Sequence, residues 1–239
     1  MRVAVWCLIG GCLILQACAS STPAKGERSI PQQHDGSTLS QLGKNDLDRM
    51  ADVEIRENEQ SLRLLMTKLY KRNPAELRKS TSDSVDKMVE WVFEGEHQWR
   101  FETIANTQGV EAIHLAFKSE YHGDRVLPFI VGLQTMLLKV HGNKKDFYFT
   151  DSIDPQKLYN AARNIEIAAW KLSNARDAHG QLYLLTNEIN SKEQNLSFER
   201  EFGKMIGRTD VYAITLSEKS QRMITRMIQN IATAVFLPF

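Results

Sequence analysis

The spacing of apolar residues after position 45 constrains the fold more than any other feature of the sequence. Apolar side chains recur there every three or four residues, which is the period of one face of an α-helix. The first run comprises Ala51, Ile55, Asn58, Leu62, Leu65 and Leu69. Asn58 interrupts it, and we expect its amide to be satisfied at a partner helix, the alternative being a register device. The pattern predicts an all-α fold, an irregular helical bundle or array of about eight helices, in one domain over 46–239.

Proline, glycine and capping residues indicate where these helices begin and end. Asn73-Pro74 ends the first helix and starts the second, since proline suits a first helical turn. Asp154-Pro155 similarly supplies an N-cap and a first residue for an alanine-rich helix. Gly95 ends a predicted helix over 85–93. Residues 96–109 fit either a short strand or an irregular buried loop.

The most apolar region is 126–138, which contains no charged residue. It is shorter than the roughly 20 residues that a membrane-spanning helix needs, so we predict a central buried helix. Gly132 within it favours close approach of another helix. The aromatic run 147–149 has strand character.

The last third of the chain predicts three further helices. One covers 183–189, and a short one covers 198–206. Gly207 is expected to separate the latter from a long terminal helix. One face of that terminal helix would carry Leu216, Ser220, Met223, Met227, Ile231 and Val235. Residues 235–239 are expected to pack on the domain as a tail, or to form a modest exposed anchor for a partner.

The first eighteen residues have the layout of a secretory signal. Arg2 precedes an apolar stretch over 3–15 that carries no charge, and the stretch ends in Leu15-Gln16-Ala17-Cys18. A charged start, an apolar core of this length and small residues before the cut are what a signal peptidase requires. The alternatives are an ordinary signal peptide or an apolar anchor with an incidental cysteine.

The tetrapeptide that ends at Cys18 resembles the lipobox of bacterial lipoproteins. Leu15, Ala17 and Cys18 match its pattern, whereas Gln16 is a less usual residue there. The resemblance, which covers only these first residues, implies cleavage before Cys18 and acylation of its thiol. In enterobacteria, Asp directly after the lipidated cysteine marks retention in the inner membrane. Because Ala19 and Ser20 stand there, the resemblance implies the inner leaflet of the outer membrane, facing the periplasm.

Cleavage at this point would divide the chain into a signal peptide over 1–17, a lipidated tether over 18–45 and the domain over 46–239. The tether is rich in Ser, Gly, Pro and Gln, so it cannot bury enough surface to fold and is predicted to be disordered. Cys7 and Cys12 would leave with the signal. The mature domain would then hold no internal disulfide, no cysteine-ligated metal and no cysteine nucleophile.

Two Glu-x-x-His pairs are the only candidate metal ligands that the sequence suggests, namely Glu94 with His97 and Glu111 with His114. On helices this spacing directs both side chains at one ion, as in ferritin-like di-iron bundles, which need two further glutamates such as Glu90 and Glu102. Gly95 lies inside the first pair, and the two pairs are too close in sequence for two long ligand helices. We therefore expect no metal and no cofactor, and keep these four residues as weak candidates.

Charge and motifs restrict the function. Lys and Arg total 30 against 29 Asp and Glu, so no basic footprint for nucleic acid exists. The sequence contains neither a Gly-x-Ser-x-Gly elbow nor a phosphate-binding glycine loop. We expect a membrane-anchored lipoprotein with a non-catalytic role in interaction, assembly or envelope maintenance, and a protein partner in the envelope. The alternatives are a helical module for an apolar ligand and, less favoured, a metal-dependent enzyme.

Overall fold

A computed structural model of the protein describes residues 46–144, 153–189, 194–195, 197–221, 224 and 235–239. They all belong to one compact unit, Leu39–Phe239. The α-helices in these ranges are α1 (Asp46–Arg72), α2 (Pro74–Ser80), α3 (Val85–Glu94), α4 (Gly109–Ala116), α5 (Val126–Val140), α6 (Pro155–Asn174) and α7 (Ser197–Ser220). The described ranges also hold a 3₁₀ turn at Glu102–Ile104 and one antiparallel pair of two-residue strands, β1 (Glu188–Ile189) and β2 (Gln194–Asn195). The predicted all-α fold is confirmed.

Helix α1 contacts α2, α3, α5 and α7 through the face that the sequence predicts. The residues of that face are all buried: Ala51, Ile55, Asn58, Leu62, Leu65 and Leu69. At the end of α1 the Asn73 carboxamide donates to the carbonyl of Leu69 and exchanges two hydrogen bonds with the backbone of Leu185. Pro74 then begins α2, as predicted.

Helix α5 is the centre of the domain, and each of its residues except Lys139 is buried. The Asp124 carboxylate caps its first turn by accepting from the N–H groups of Val126 and Leu127. Helix α4 crosses α5 at Gly132, where an added Cβ would lie 2.6 Å from Cγ1 of Ile113 and 2.7 Å from the carbonyl oxygen of Gly109. The close helix approach predicted for Gly132 is therefore confirmed.

Helices α6 and α7 pack against each other, and α6 also contacts α5. Asp154 caps α6 as predicted, because its carboxylate accepts from the N–H of Gln156. The alanine-rich face is buried and includes Ala161, Ala162 and Ala168. Small side chains on this face allow the neighbouring helices to approach closely.

The predicted helix break at Gly207 is wrong. Helix α7 runs without interruption from Ser197 to Ser220 through both Gly203 and Gly207. A glycine inside a helix costs about 1 kcal/mol relative to alanine. Burial of Phe202 before Gly207, at about 1.5–3 kcal/mol, together with burial of Tyr212 and Ala213 after it, outweighs that cost.

The predicted helix over 183–189 is also wrong. Leu182 forms an antiparallel bridge with Arg176, and the N–H of Tyr183 donates to the carbonyl of Ala175. The Tyr183 ring centroid lies 4.1 Å from the guanidinium carbon of Arg125. These contacts with the residues that follow α6 and with the N-cap residue of α5 hold the segment in a non-helical conformation, against its local helical pattern.

Residues 96–109 form an irregular loop around the 3₁₀ turn, which is one of the two predicted alternatives. The signal peptide, Cys18, the tether, the aromatic run 147–149 and Met223, Met227 and Ile231 of the predicted terminal helix lie outside the described residues. Val235, assigned to that helix by its spacing, lies in a segment without helical structure. Within the described part of the chain, every helix is too short or too polar to span a bilayer.

Candidate functional site

The domain holds its own 235–239 segment in a groove on α6, and this groove is the candidate functional site. The segment has no helix or strand structure of its own. The Leu237 N–H donates to Oδ1 of Asn164 at 2.6 Å, and Nδ2 of Asn164 donates to the Leu237 carbonyl at 2.8 Å. One helical turn away, Nδ2 of Asn160 donates to the carbonyl of Pro238 at 2.7 Å. Packing of 235–239 on the domain, one of the two predicted alternatives, is confirmed.

These two asparagines contact the backbone of the segment rather than its side chains. Asn164 uses both its donor and its acceptor on one residue, as a neighbouring β-strand would. Both carboxamides are buried, and Gln156 orients Asn160 through a hydrogen bond of 2.9 Å to its Oδ1. The pair therefore recognises an extended backbone and requires a free N–H at position 237, which excludes proline there.

The side chains of the segment occupy distinct surroundings. Leu237 is buried. Phe236 packs edge-on against His114, with ring centroids 4.9 Å apart. The Lys139 ammonium lies 5.0 Å from the Phe239 ring centroid, within the range of a cation–π contact. One aliphatic residue between two aromatic residues is thus the pattern that the groove accommodates.

A cleft of about 1320 Å³ opens beside the segment, which forms one of its walls. The 96–109 loop, the start of α4 and the end of α5 supply other lining residues. The cleft is lined by several residues in the left-handed backbone region, namely Gln98, Trp99, Ala105, Asn106, Gly109 and Asn143. In residues other than glycine such conformations cost free energy and concentrate at binding sites, where the surrounding structure holds them in place.

Side-chain hydrogen bonds fix this loop next to the groove. The Gly109 N–H donates to Oγ1 of Thr135 on α5 at 2.7 Å. Gln108 reaches back along the loop, and its Nε2 donates to the carbonyl of Trp99 at 3.1 Å. Gly109 has φ +56°, and a Cβ there would lie 3.2 Å from Cζ of Phe239. The loop is therefore shaped around the aromatic residue that it contacts.

A second polar cluster lies inside the domain. Nε2 of His141 is 3.0 Å from Oε2 of Glu54, and neither side chain is accessible to a ligand in this conformation. Oε1 of Glu54 accepts from Asn58 and Thr209. Asn58 also accepts from Arg208, so its amide is satisfied at the partner helix α7, as expected. This cluster joins α1, α5 and α7 and has a structural role.

The four predicted metal-ligand candidates lie in different surroundings. Glu94 forms an ion pair with Arg63 at 2.7 Å. Both ring nitrogens of His97 contact backbone groups, Nε2 lying 3.0 Å from the Trp91 carbonyl and Nδ1 accepting from the Trp99 N–H. A histidine bonded in this way has no lone pair for a metal ion.

The second pair lies at the groove instead. Glu111 lines the cleft, and His114 contacts Phe236. Partial burial, aided by Lys171 and Lys118, lowers the pKa of His114 below its ordinary value. Among the described residues, His, Cys, Asp and Glu side chains form no group of three or more that could hold a metal ion.

Asn160 and Asn164 were not among the residues that the sequence suggested. The available signal is their spacing, because two amides four residues apart interrupt the buried face of α6. Buried amides need partners, so that interruption indicates a polar contact without showing what supplies it. Comparison of the chain with protein-family models, with curated proteins and with solved structures found no match.

Proposed function

We propose that the protein is a lipid-anchored protein of the bacterial cell envelope whose helical domain binds another protein without catalysing a reaction. The sequence Leu15-Gln16-Ala17-Cys18 supports the anchor, and Ala19 after the cysteine supports the outer membrane as its location. The tether over 18–45 would hold the domain close to the inner leaflet, facing the periplasm.

The groove on α6 carries the proposal that the domain is a binding module. Its buried amides hold an extended backbone, which is a form of recognition suited to a polypeptide. A ligand without polar groups would offer these amides no hydrogen bonds, and burying them unpaired is unfavourable. The groove therefore favours a protein partner over the alternative of an apolar small molecule.

The pair of Glu54 and His141 lies out of reach of a substrate. Glu54 and His141 have the residue types of a general base and its orienting carboxylate, but both are enclosed by α1, α5 and α7. A general base must come within about 3 Å of the proton that it removes. Any substrate would have to open the domain to reach His141.

Metabolic labelling tests the anchor. In a diderm bacterial host, the wild-type chain should incorporate an alkyne-tagged fatty acid, and Cys18→Ser should lose the label and accumulate as uncleaved precursor. Cys12→Ser is the matched control, because Cys12 lies in the apolar part of the signal and should not affect labelling. Labelling that persists in Cys18→Ser would contradict the proposal.

A further inference from the structure

We infer that the groove on α6 is a binding site for an extended segment of a partner protein, and that 235–239 occupies it as a built-in competitor. The partner segment would carry a large aliphatic residue between two aromatic residues and would offer a free N–H at the aliphatic position. The inference rests on the proposed function in one respect only, that the partner belongs to the cell envelope.

The first argument is that the buried Asn164 carboxamide of the groove needs a polypeptide backbone as its hydrogen-bond partner. Asn164 is fully buried, and its carboxamide makes both of its described hydrogen bonds with Leu237. If the segment left without a replacement, these polar atoms would lose their partners or admit water into an apolar site. A second extended backbone that offers a free N–H at the position of Leu237 restores the same hydrogen bonds.

The second argument concerns the side chains around the groove. Cations lie near the aromatic ring at each end of the segment: the Lys171 ammonium is 5.8 Å from the Phe236 ring centroid, and Lys139 is 5.0 Å from that of Phe239. Burial lowers the pKa of Lys171 below its ordinary value. Aromatic faces are favoured beside such partly desolvated cations. This arrangement gives the groove a preference for aromatic residues on both sides of the buried aliphatic one.

The third argument is that the segment lies outside the helices that build the domain. It contributes no residue to a described helix or strand, and residues 222–234 connect it to the end of α7. Because the segment belongs to the same chain as the groove, it competes with an incoming peptide as an intramolecular ligand.

Fluorescence anisotropy tests the inference directly. The probe is a labelled peptide with the sequence of residues 233–239, Thr-Ala-Val-Phe-Leu-Pro-Phe. The protein is the lipidated full chain in detergent, with empty micelles as the blank. Leu237→Ala weakens the internal competitor, so we expect this variant to bind the probe about tenfold more tightly than the wild type, or more.

Matched variants separate backbone recognition from general adhesion. Asn164→Ala added to Leu237→Ala should abolish probe binding. Asn174→Ala added to Leu237→Ala should leave it unchanged, because Asn174 lies on the same helix but is exposed and donates to the carbonyl of Trp170. A probe with proline in place of the leucine lacks the N–H that Asn164 accepts and should not bind.

Three results would overturn the inference. A Leu237→Ala variant that is folded by circular dichroism but gains no affinity for the probe would show that 235–239 is an ordinary structural tail. Probe binding that persists in the Asn164→Ala variant would show adhesion that does not depend on the hydrogen bonds of Asn164. A wild-type dimer that Leu237→Asp dissociates would show that the segment is exchanged between two copies instead. None of these results affects the labelling of Cys18, so failure here is distinct from failure of the lipid anchor.

Hydrogen exchange on the wild-type chain provides a second test if Leu237→Ala does not fold. Exchange of the amides of 236, 237 and 239 by local opening, while α5 and α6 stay protected, would support a displaceable competitor. Exchange of those amides only together with the core of α6 would overturn it.

Discussion

His141 and Glu54 form a buried pair, with Nε2 of the histidine 3.0 Å from Oε2 of the carboxylate. The His141 ring stacks on Tyr212, with the two planes 2° apart, and its Nδ1 lies 2.8 Å from the carbonyl of Leu137. Burial alone would lower the pKa of His141, but the hydrogen bond and charge of Glu54, with the Leu137 carbonyl, raise it above its ordinary value. The pair thus favours the imidazolium form in the folded domain.

This pair predicts that the domain loses stability as the solution becomes alkaline. A histidine whose pKa is higher in the folded state takes up a proton on folding, so its stabilisation is complete below the unfolded pKa of about 6.5. It is lost as the pH rises through the raised folded value. Urea unfolding from pH 5.5 to 9 should therefore give a free energy of unfolding that falls across this window.

The His141→Gln variant isolates the contribution of the pair. It leaves the Glu54 carboxylate buried without its cation, and breaking a buried pair costs about 3–5 kcal/mol. The variant should lose that stability at pH 6 and should lack the alkaline decline. The exposed His179 provides the control, since we expect His179→Gln to cost far less stability than His141→Gln. An equal decline in His141→Gln would assign the pH dependence to other groups.

Substitution by alanine is expected to have opposite effects on stability at two glycines that lie in helices. At Gly132 the new Cβ would meet Ile113 and the backbone of Gly109 at less than 3.0 Å, and overpacking of this kind costs about 1–3 kcal/mol. At Gly207 nothing lies within 4 Å, so alanine should stabilise α7 by up to about 1 kcal/mol. Thermal unfolding of Gly132→Ala and Gly207→Ala measures both. Similar effects from the two substitutions would mean that α4 does not approach α5 as closely as the structure shows.

The contrast between these glycines also shows which helices could be predicted from sequence patterns alone. The apolar period of α1 and the Asp154-Pro155 start of α6 are local signals, and both predicted the element correctly. Gly207 gives the local signal of a helix end, but buried contacts of α7 on both sides of it keep the helix continuous. The continuity of α7 depends on tertiary burial, which cannot be recognised from a single sequence.

The candidate site could be predicted only in part for the same reason. Packing of 235–239 on the domain is one of two predicted alternatives. The apolar residues of this segment indicate that it is buried against another surface, but they do not indicate which surface. Asn160 and Asn164 lie more than 70 residues before the segment that they hold. No periodicity relates the two, so only the fold shows that these amides and that backbone meet.

The residue after the lipidated cysteine predicts the destination of the protein. If Ala19 permits transport to the outer membrane, Ala19→Asp should retain the chain in the inner membrane of an enterobacterial host. Sucrose-gradient separation of the two membranes, followed by immunoblotting, measures the shift. Ala19→Ser should remain in the outer membrane as the control. A wild-type chain already found in the inner membrane would refute the assignment.

The start of α5 provides the last prediction, through the contact of Tyr70 with Asp124. The hydroxyl of Tyr70 donates to Oδ2 of Asp124 at 2.6 Å, and Ser80 donates to the same oxygen. Burial raises the pKa of Asp124, whereas these hydrogen bonds oppose that rise. Tyr70→Phe removes a bond to a buried charged group, which costs about 1.5–3 kcal/mol, and should raise the pKa of Asp124 further.

The pH dependence of this variant distinguishes a lost charged hydrogen bond from lost packing. The bond to the carboxylate matters when Asp124 is ionised, so the destabilisation of Tyr70→Phe should be full at pH 7 and should shrink as the pH falls through the raised pKa. Tyr183→Phe is the control, because its ring contacts Arg125 and the ring is retained. Urea unfolding of both variants at pH 7 and pH 4 makes the comparison. A Tyr70→Phe penalty that is the same at both pH values would show that the hydroxyl does not stabilise the ionised carboxylate.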